Sequence, residues 1–264
     1  MSQRSALNIS RMINLAVSEK DASTDVSFIN DLNYTIEKLN IKEELPSPFY
    51  KPSSLHCIRN MYYQRTSTPI DNSKMSPESV GIAESGTDRH ERIQYYVSMM
   101  QSVGIDCEWV DVETYIKEHN LEDLEVVSKK DYETKLYNKR YAFRFLADGL
   151  IKYHGEYYIL EIKTETTNKF IPRTAIDTYH YNQAIAYSLN FGIDKVMFLY
   201  ENRDVCSKKS YLKIVTDDER NSLIKKLTDC EYCVNNHIVP NKPVDADRKM
   251  CQYCQYRTTC RKDR

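Results

Sequence analysis

Ala147-Asp148-Gly149 and, beyond Gly155, Tyr158-Ile159-Leu160-Glu161-Ile162-Lys163-Thr164 are the two arms of one predicted β-hairpin. Tyr141 to Tyr153 alternates apolar and polar residues, Gly155 marks a turn, and Tyr157 to Lys163 is apolar and β-prone. Asp148 lies at the end of the first strand, and Glu161 and Lys163, two apart on the second, project from one face. The hairpin thus gathers two carboxylates and an ammonium. Glu-x-Lys alone is common on solvated strand faces. Here, however, the charges end an apolar strand, where unpaired burial would cost several kcal/mol. Hard cations such as Mg²⁺ and Mn²⁺ take oxygen ligands and suit such a pair of carboxylates. A cation held there polarises a phosphate and activates water, while Lys163 orients the nucleophile or steadies charge building on the phosphate.

Working outward, Ile171 to Asn190 is expected as one long helix, followed by strands at Lys195 to Tyr200 and Ser210 to Val215. A helix from Asp217 to Asn236 places Leu223, Leu227, Cys230 and Val234 on one face. Upstream, Gly86 to Gln101 reads as a helix carrying His90, and Cys107 to Val112 as a short strand. Eight acids against Lys117 alone between Asp106 and Glu125 would repel a phosphate backbone. A helix after Pro52, capped by Ser53 or Ser54, should carry Cys57, Arg59, Tyr62, Tyr63 and Arg65. The stretch 66–79 is rich in Ser, Thr, Pro and Asn and reads as a loop. Before it, Leu7, Met12, Leu15 and Ala16, then Phe28, Leu32, Ile36 and Leu39, recur at helical spacing. They define a helical appendage over residues 1–50, with a second region over 51–264. No internal repeat of fixed period is present.

The chain has 264 residues, with 41% hydrophobic and 28% charged residues, 6 Gly and 8 Pro. That composition excludes collagen-like, low-complexity and wholly disordered classes. With 37 Lys plus Arg against 38 Asp plus Glu, attraction to nucleic acid must come from a local basic face. No run approaches the roughly 18 to 20 apolar residues of a membrane helix, and Arg4, Asn8, Arg11 and Asn14 interrupt the first twenty residues. The expectation is an intracellular, cytoplasmic protein with no membrane partner. Eight cysteines in such a chain point to metal ligation or buried thiols rather than disulfides.

In order along the chain stand His90, Asp148, Glu161 with Lys163, and Gln183-Ala184-Ile185-Ala186-Tyr187. This series resembles the RecB-like branch of the PD-(D/E)XK nucleases, whose core is a restriction-endonuclease-like α/β fold: a mixed sheet flanked by helices. The resemblance implies that His90, Asp148 and Glu161 bind Mg²⁺ or Mn²⁺ together with the Ile162 carbonyl. It further implies that Lys163 assists the attacking water, and that Gln183 and Tyr187 hold DNA or order the site. Gln183 and Tyr187, four apart, share a helix face.

Cys251-Gln252-Tyr253-Cys254-Gln255-Tyr256-Arg257-Thr258-Thr259-Cys260 has the form C-x2-C-x5-C. Iron-sulfur clusters normally take four cysteines. The CRISPR-associated RecB-like and AddB-type nucleases have one cysteine before the nuclease core and three after it, and Cys57 with Cys251, Cys254 and Cys260 resembles that arrangement. A structural 4Fe-4S cluster that fastens the tail segment 230–264 to Cys57 is what the resemblance implies. A rival set, Cys230 and Cys233 with Cys251 and Cys254, has seventeen intervening residues and fits a zinc site.

Residues 51–65 carry Lys51, Arg59 and Arg65 without an acid, and 129–173 carries ten bases against six acids. A basic wall beside the metal is expected from these, with Arg59 and Arg65 at the nucleic acid. The leading expectation is a metal-dependent DNA exonuclease acting on single strands or duplex ends. Two other readings stand beside it: a non-catalytic DNA-end binding subunit working with a helicase or recombination partner, and a zinc-stabilised nucleic-acid-binding module.

Overall fold

The computed structural model describes residues 26–40, 47–71, 75–243 and 251–263. The chain divides into two compact units, one of residues 1–42 and 74–81, the other of 43–73 and 82–264. In the first, helix α1 (Val26–Leu39) is the expected helix of Phe28, Leu32, Ile36 and Leu39. The expected helix around Leu7 to Ala16 lies outside the described residues.

The larger unit is built on two sheets. The main one has the order β1-β5-β6-β7-β8, with β1 (Cys107–Val110), β5 (Gly149–Tyr153), β6 (Glu156–Glu165), β7 (Lys195–Asn202) and β8 (Lys208–Ile214). β6 and β7 run parallel and the other neighbours antiparallel, so the sheet is mixed. A smaller antiparallel sheet contains β2 (Leu124–Lys130), β3 (Glu133–Asn138) and β4 (Phe143–Ala147).

Alternation along β6 supplies both faces of the main sheet. Leu160 and Ile162 pack with Ile93 of helix α3 (Pro77–Ser98). Ile159, with Val196, Phe198 and Tyr200 of β7, packs on the other face with helices α6 (Thr178–Phe191) and α7 (Asp217–Asn235). Each of these fully buried aliphatic side chains contributes about 1.5–3 kcal/mol relative to exposure. The fold is the expected mixed α/β arrangement of a sheet flanked by helices. No described helix is long and apolar enough to cross a membrane.

Several boundaries differ from expectation, each for a local reason. The strand expected from Tyr141 to Tyr153 breaks at Asp148, so that β4 and β5 belong to different sheets. Gly149 passes against the ring of Trp109, leaving no room for a Cβ. The hairpin itself is present: β5 and β6 join through His154 and Gly155, both at positive φ (50° and 78°), as a two-residue primed turn requires. The long helix begins at Thr178 instead of Ile171, because Pro172 has no N–H to carry the helical ladder on and Asp177, in extended backbone, caps the Tyr179 N–H. A short helix, α5 (Thr167–Phe170), precedes that bend.

Helix α3 starts at Pro77, which shortens the expected loop over 66–79. Asp111 ends the strand after Val110 by capping helix α4 (Val112–Glu118), accepting from the Thr114 N–H at 2.9 Å. The β2–β3 hairpin was not foreseen. Near the start of the larger unit, Pro52–Ser54 forms a 3-10 turn and helix α2 (Ile58–Arg65) follows, with Cys57 at its N-terminal boundary. Ser54 bonds the Gln64 side chain instead of capping that helix.

Candidate active site

The register Gly149↔Leu160 is the last pair between β5 and β6. Beyond it the Ile162 N–H has no strand partner and donates to Asp148 Oδ2 at 2.7 Å. The break at Asp148 therefore serves the site: the carboxylate replaces a strand as hydrogen-bond acceptor. Asp148 Oδ1 lies 3.4 Å from His90 Nδ1. One turn further along α3, the fully buried Gln94 donates from Nε2 to the Asp148 carbonyl at 2.7 Å.

Glu161 is only 2% exposed and pairs closely with Lys163 through Oε1, while its Oε2 is buried without a hydrogen bond. Burial pushes the Glu161 carboxyl up to about 7, against the pull of Lys163 and with the help of Asp148. For Lys163, burial works downward, but Glu161 and Asp148 outweigh it and the ammonium is held above its ordinary value. His90 behaves alike: burial lowers it, and Asp148 more than compensates. Such a set of buried carboxylates, with an orphaned oxygen, fits a divalent cation.

The structure brings His90, Asp148, Glu161 and Lys163 into one neighbourhood. Tyr187 is buried, its phenol pushed far up by burial and then by Glu161 and Asp148; its hydroxyl donates to the Leu146 carbonyl at 3.4 Å. Gln183 lines, with Tyr187, a cavity of about 470 Å³ that also exposes Lys51, Lys135 and Arg144. Gln183 Oε1 and Arg144 Nε are buried without partners there, and the Arg144 guanidinium lies 3.9 Å from the centre of the Phe49 ring.

Arg59 and Arg65 are placed differently from expectation. Arg59 is 4% exposed and donates to the carbonyls of Pro240 (2.7 Å), Cys260 (3.2 Å) and Asp263 (2.8 Å). Arg65 pairs with Glu231 at 2.6 Å and donates to the Pro48 carbonyl. Both guanidinium groups are occupied by the protein, so the basic residues beside Gln183 are Lys51, Lys135 and Arg144 instead. The apolar spacing of α2 offered no warning, because its burial comes from α7 and the chain's end.

Two residues that no motif singled out adjoin the site, Glu133 at His90 and Asp148 and His180 in the field of Lys163. Glu133 offers an oxygen that, with one atom each of His90 and Asp148, forms a mutually close group within 4.8 Å. His180, in the first turn of α6, has Nδ1 2.7 Å from the Tyr200 hydroxyl and is pushed down to about 4 by burial, with Lys163 acting in the same direction.

The three cysteines of the tail pattern and Cys57 also converge. Cys57, Cys251, Cys254 and Cys260 line one cavity of about 810 Å³, together with Tyr179 and Asn182 of α6. Hydrogen-bond donors surround the sulfurs: the Arg59 and Asn60 backbone N–H groups face Cys57. The Tyr256 N–H and Asn60 Nδ2 lie 3.5 and 3.6 Å from Cys254 Sγ, and Arg59 Nη1 lies 3.7 Å from Cys260 Sγ. Burial, with the neighbouring cysteines, pushes the Cys57 and Cys254 thiols up, and these donors work against it toward the thiolate form; four thiols on one cavity with donors to their sulfurs fit a thiolate-bound metal centre. Cys230 is buried in the core, its Sγ 3.9 Å from the Ile58 carbonyl, and Cys233 packs against that core; neither lines the cavity.

No family model and no curated protein matches the chain. Among solved structures, it is similar to SSO0001, with 15% identity over 88% of this chain and 96% of that one and a TM-score of 0.46. It is also similar to an alkaline exonuclease, LHK-Exo, from Laribacter hongkongensis, with 12% identity over 73% of this chain and 90% of that one and a TM-score of 0.44. The complex of LHK-Exo with dAMP gives 13% identity, 72% and 89% coverage and a TM-score of 0.45. Likeness at this level leaves the chemistry to be read from the chain's own residues.

Proposed function

We propose that the chain is a metal-dependent deoxyribonuclease, an exonuclease acting on single-stranded DNA or duplex ends. The observation that carries this reading is the buried Glu161, its Oε2 unpartnered and its Oε1 against Lys163, beside an Asp148 held in a strand break. In it, His90, Asp148, Glu161 and the Ile162 carbonyl hold Mg²⁺ or Mn²⁺. A divalent cation there supplies Lewis acidity to the scissile phosphate and acidifies the attacking water.

Lys163 Nζ orients that water and donates to the phosphate oxygen on which charge accumulates. Glu161 keeps the ammonium charged and in place. Tyr187, packed behind Glu161, excludes bulk water, which strengthens every charge interaction in the site. Lys51, Lys135 and Arg144 offer the DNA backbone cationic contacts beside Gln183. Cys57, Cys251, Cys254 and Cys260 hold a structural 4Fe-4S cluster that fastens residues 251–263 to α2.

The test uses end-labelled single-stranded DNA and anaerobically purified protein with Mn²⁺ or Mg²⁺, beside EDTA and Glu161→Gln. Cleavage should vanish with EDTA and fall at least about 100-fold in the variant, with DNA binding retained. Equal cutting by Glu161→Gln removes the site assignment. A folded, coloured wild type that binds DNA ends without cutting them is instead the non-catalytic end-binding subunit.

A further inference from the structure

Glu133 opens β3, and the last pair between β3 and β4 is Thr134↔Ala147. One step further, the same register sets Glu133 opposite Asp148. Directly opposed residues of an antiparallel pair have Cβ atoms about 4.5–5.5 Å apart, and like charges so placed destabilise the sheet. Lys130, across β2 and β3 from Glu133, and His90 oppose this repulsion, but Glu133 makes no ion pair among the described residues.

The third member of the group is His90, with Nδ1 3.4 Å from Asp148 Oδ1. The two Asp148 oxygens face different ways, because Oδ2 is taken by the Ile162 N–H at 2.7 Å. Ligands of an octahedral cation at about 2.1 Å stand about 3–4 Å from one another, and the three donor atoms already lie within 4.8 Å. Two deeply buried groups adjoin them with an oxygen unpartnered: Gln94 through Oε1, its Nε2 being on the Asp148 carbonyl, and Glu161 through Oε2.

We propose that Glu133 is a ligand of the divalent cation, joining His90 and Asp148 and bringing a carboxylate from the small sheet to the site. This rests on the metal-dependent reading above and adds to it a residue outside the motif series. It also makes the cation the link between the two sheets, since β3 and β6 would both contribute to its surroundings.

The test is Mn²⁺ titration of the full chain, followed by the electron paramagnetic resonance of free Mn²⁺, without DNA or turnover. Mn²⁺ prefers oxygen and imidazole to thiolate, so the cysteine cavity does not contribute. Glu133→Gln should weaken Mn²⁺ binding about tenfold or more. It should also reduce the rise in Tm that Mn²⁺ gives the wild type, while Tm in EDTA stays level or increases as the repulsion with Asp148 is relieved. Glu133→Ala, read the same way, guards against a misfolded first variant. Wild-type affinity and an undiminished Tm rise in both variants overturn the assignment of Glu133 alone. Absence of Mn²⁺ binding by the wild type overturns the metal-dependent reading itself.

Discussion

At the acid site, strands and their ends place Glu133, Asp148, Glu161 and Lys163, while His90 and Gln94 arrive from α3 and Tyr187 from α6. In the cysteine cavity, by contrast, side chains join the two ends of the larger unit across 201 positions of sequence, as Arg59 does with Cys260. Backbone pairing is cooperative and shares its cost along whole strands. The tail over 251–263 instead depends chiefly on side-chain contacts: the Tyr256 ring buried against Tyr63, Arg59, the Tyr63 hydroxyl on Asp263 at 2.8 Å, and Asp71 with Gln255 and Thr258. The acid site should therefore persist through changes that release the tail, and the reverse should hold as well.

The largest expected effect breaks the cysteine side. Cys254→Ala removes one of the four thiols and the acceptor of both the Tyr256 N–H and Asn60 Nδ2. Because binding energy in the proposed metal centre is folding energy, the loss should reach several kcal/mol. Visible absorbance of the anaerobic protein should disappear, and residues 251–263 should become open to protease while β5 to β7 stay protected from hydrogen exchange. A coloured and stable variant would place the metal centre elsewhere.

A smaller effect breaks the acid side. In Gly149→Ala the new Cβ would meet the Trp109 ring well inside van der Waals contact, and relieving it must move the ring or the backbone next to Asp148. Overpacking of this kind costs about 1–3 kcal/mol. Trp109 is the only tryptophan, so its fluorescence reports the shift directly. A changed emission maximum, a lower Tm and slower cleavage are expected with the visible absorbance intact. Unaltered emission and cleavage would mean that the strand break is not held by this packing.

The same contrast explains what could be read from the sequence. Glu161 and Lys163 were legible because strand periodicity is local, and Asp148 because it ends an apolar run. Glu133 was not, since its place depends on β3 pairing with β4 and on that register continuing one residue past the break. The cysteine tail was legible as a spacing, but its anchoring was not. A guanidinium beside a motif reads naturally as a phosphate contact, and only burial under α7 and the tail turns Arg59 inward. Likewise the acidic composition of 106–125 concealed a helix, α4, whose buried Val112, Tyr115 and Ile116 are spaced within one turn.

The seam between the two regions lies in the first turn of α6, where neighbouring residues serve opposite sides. Tyr179 lines the cysteine cavity and donates to the Ser53 carbonyl at 2.6 Å, while His180 packs toward Tyr200 and Phe198 of β7. Burial lowers the His180 imidazole from 6.5 to about 4, Lys163, Arg173 and Lys169 push the same way, and Asp177 opposes them. The folded state thus binds this proton less readily than the unfolded chain. Its contribution is complete above pH 6.5 and is lost as the pH falls toward 4, to roughly 3 kcal/mol at the acid end. Other groups also weaken the protein in acid, so the comparison is between wild type and His180→Gln in urea unfolding at pH 7, 5.5 and 4.5. The variant should lose less stability than the wild type over that interval, with the difference growing at each step. Parallel curves would show that the proton does not distinguish folded from unfolded chain, and that this turn is open enough to hydrate the imidazolium.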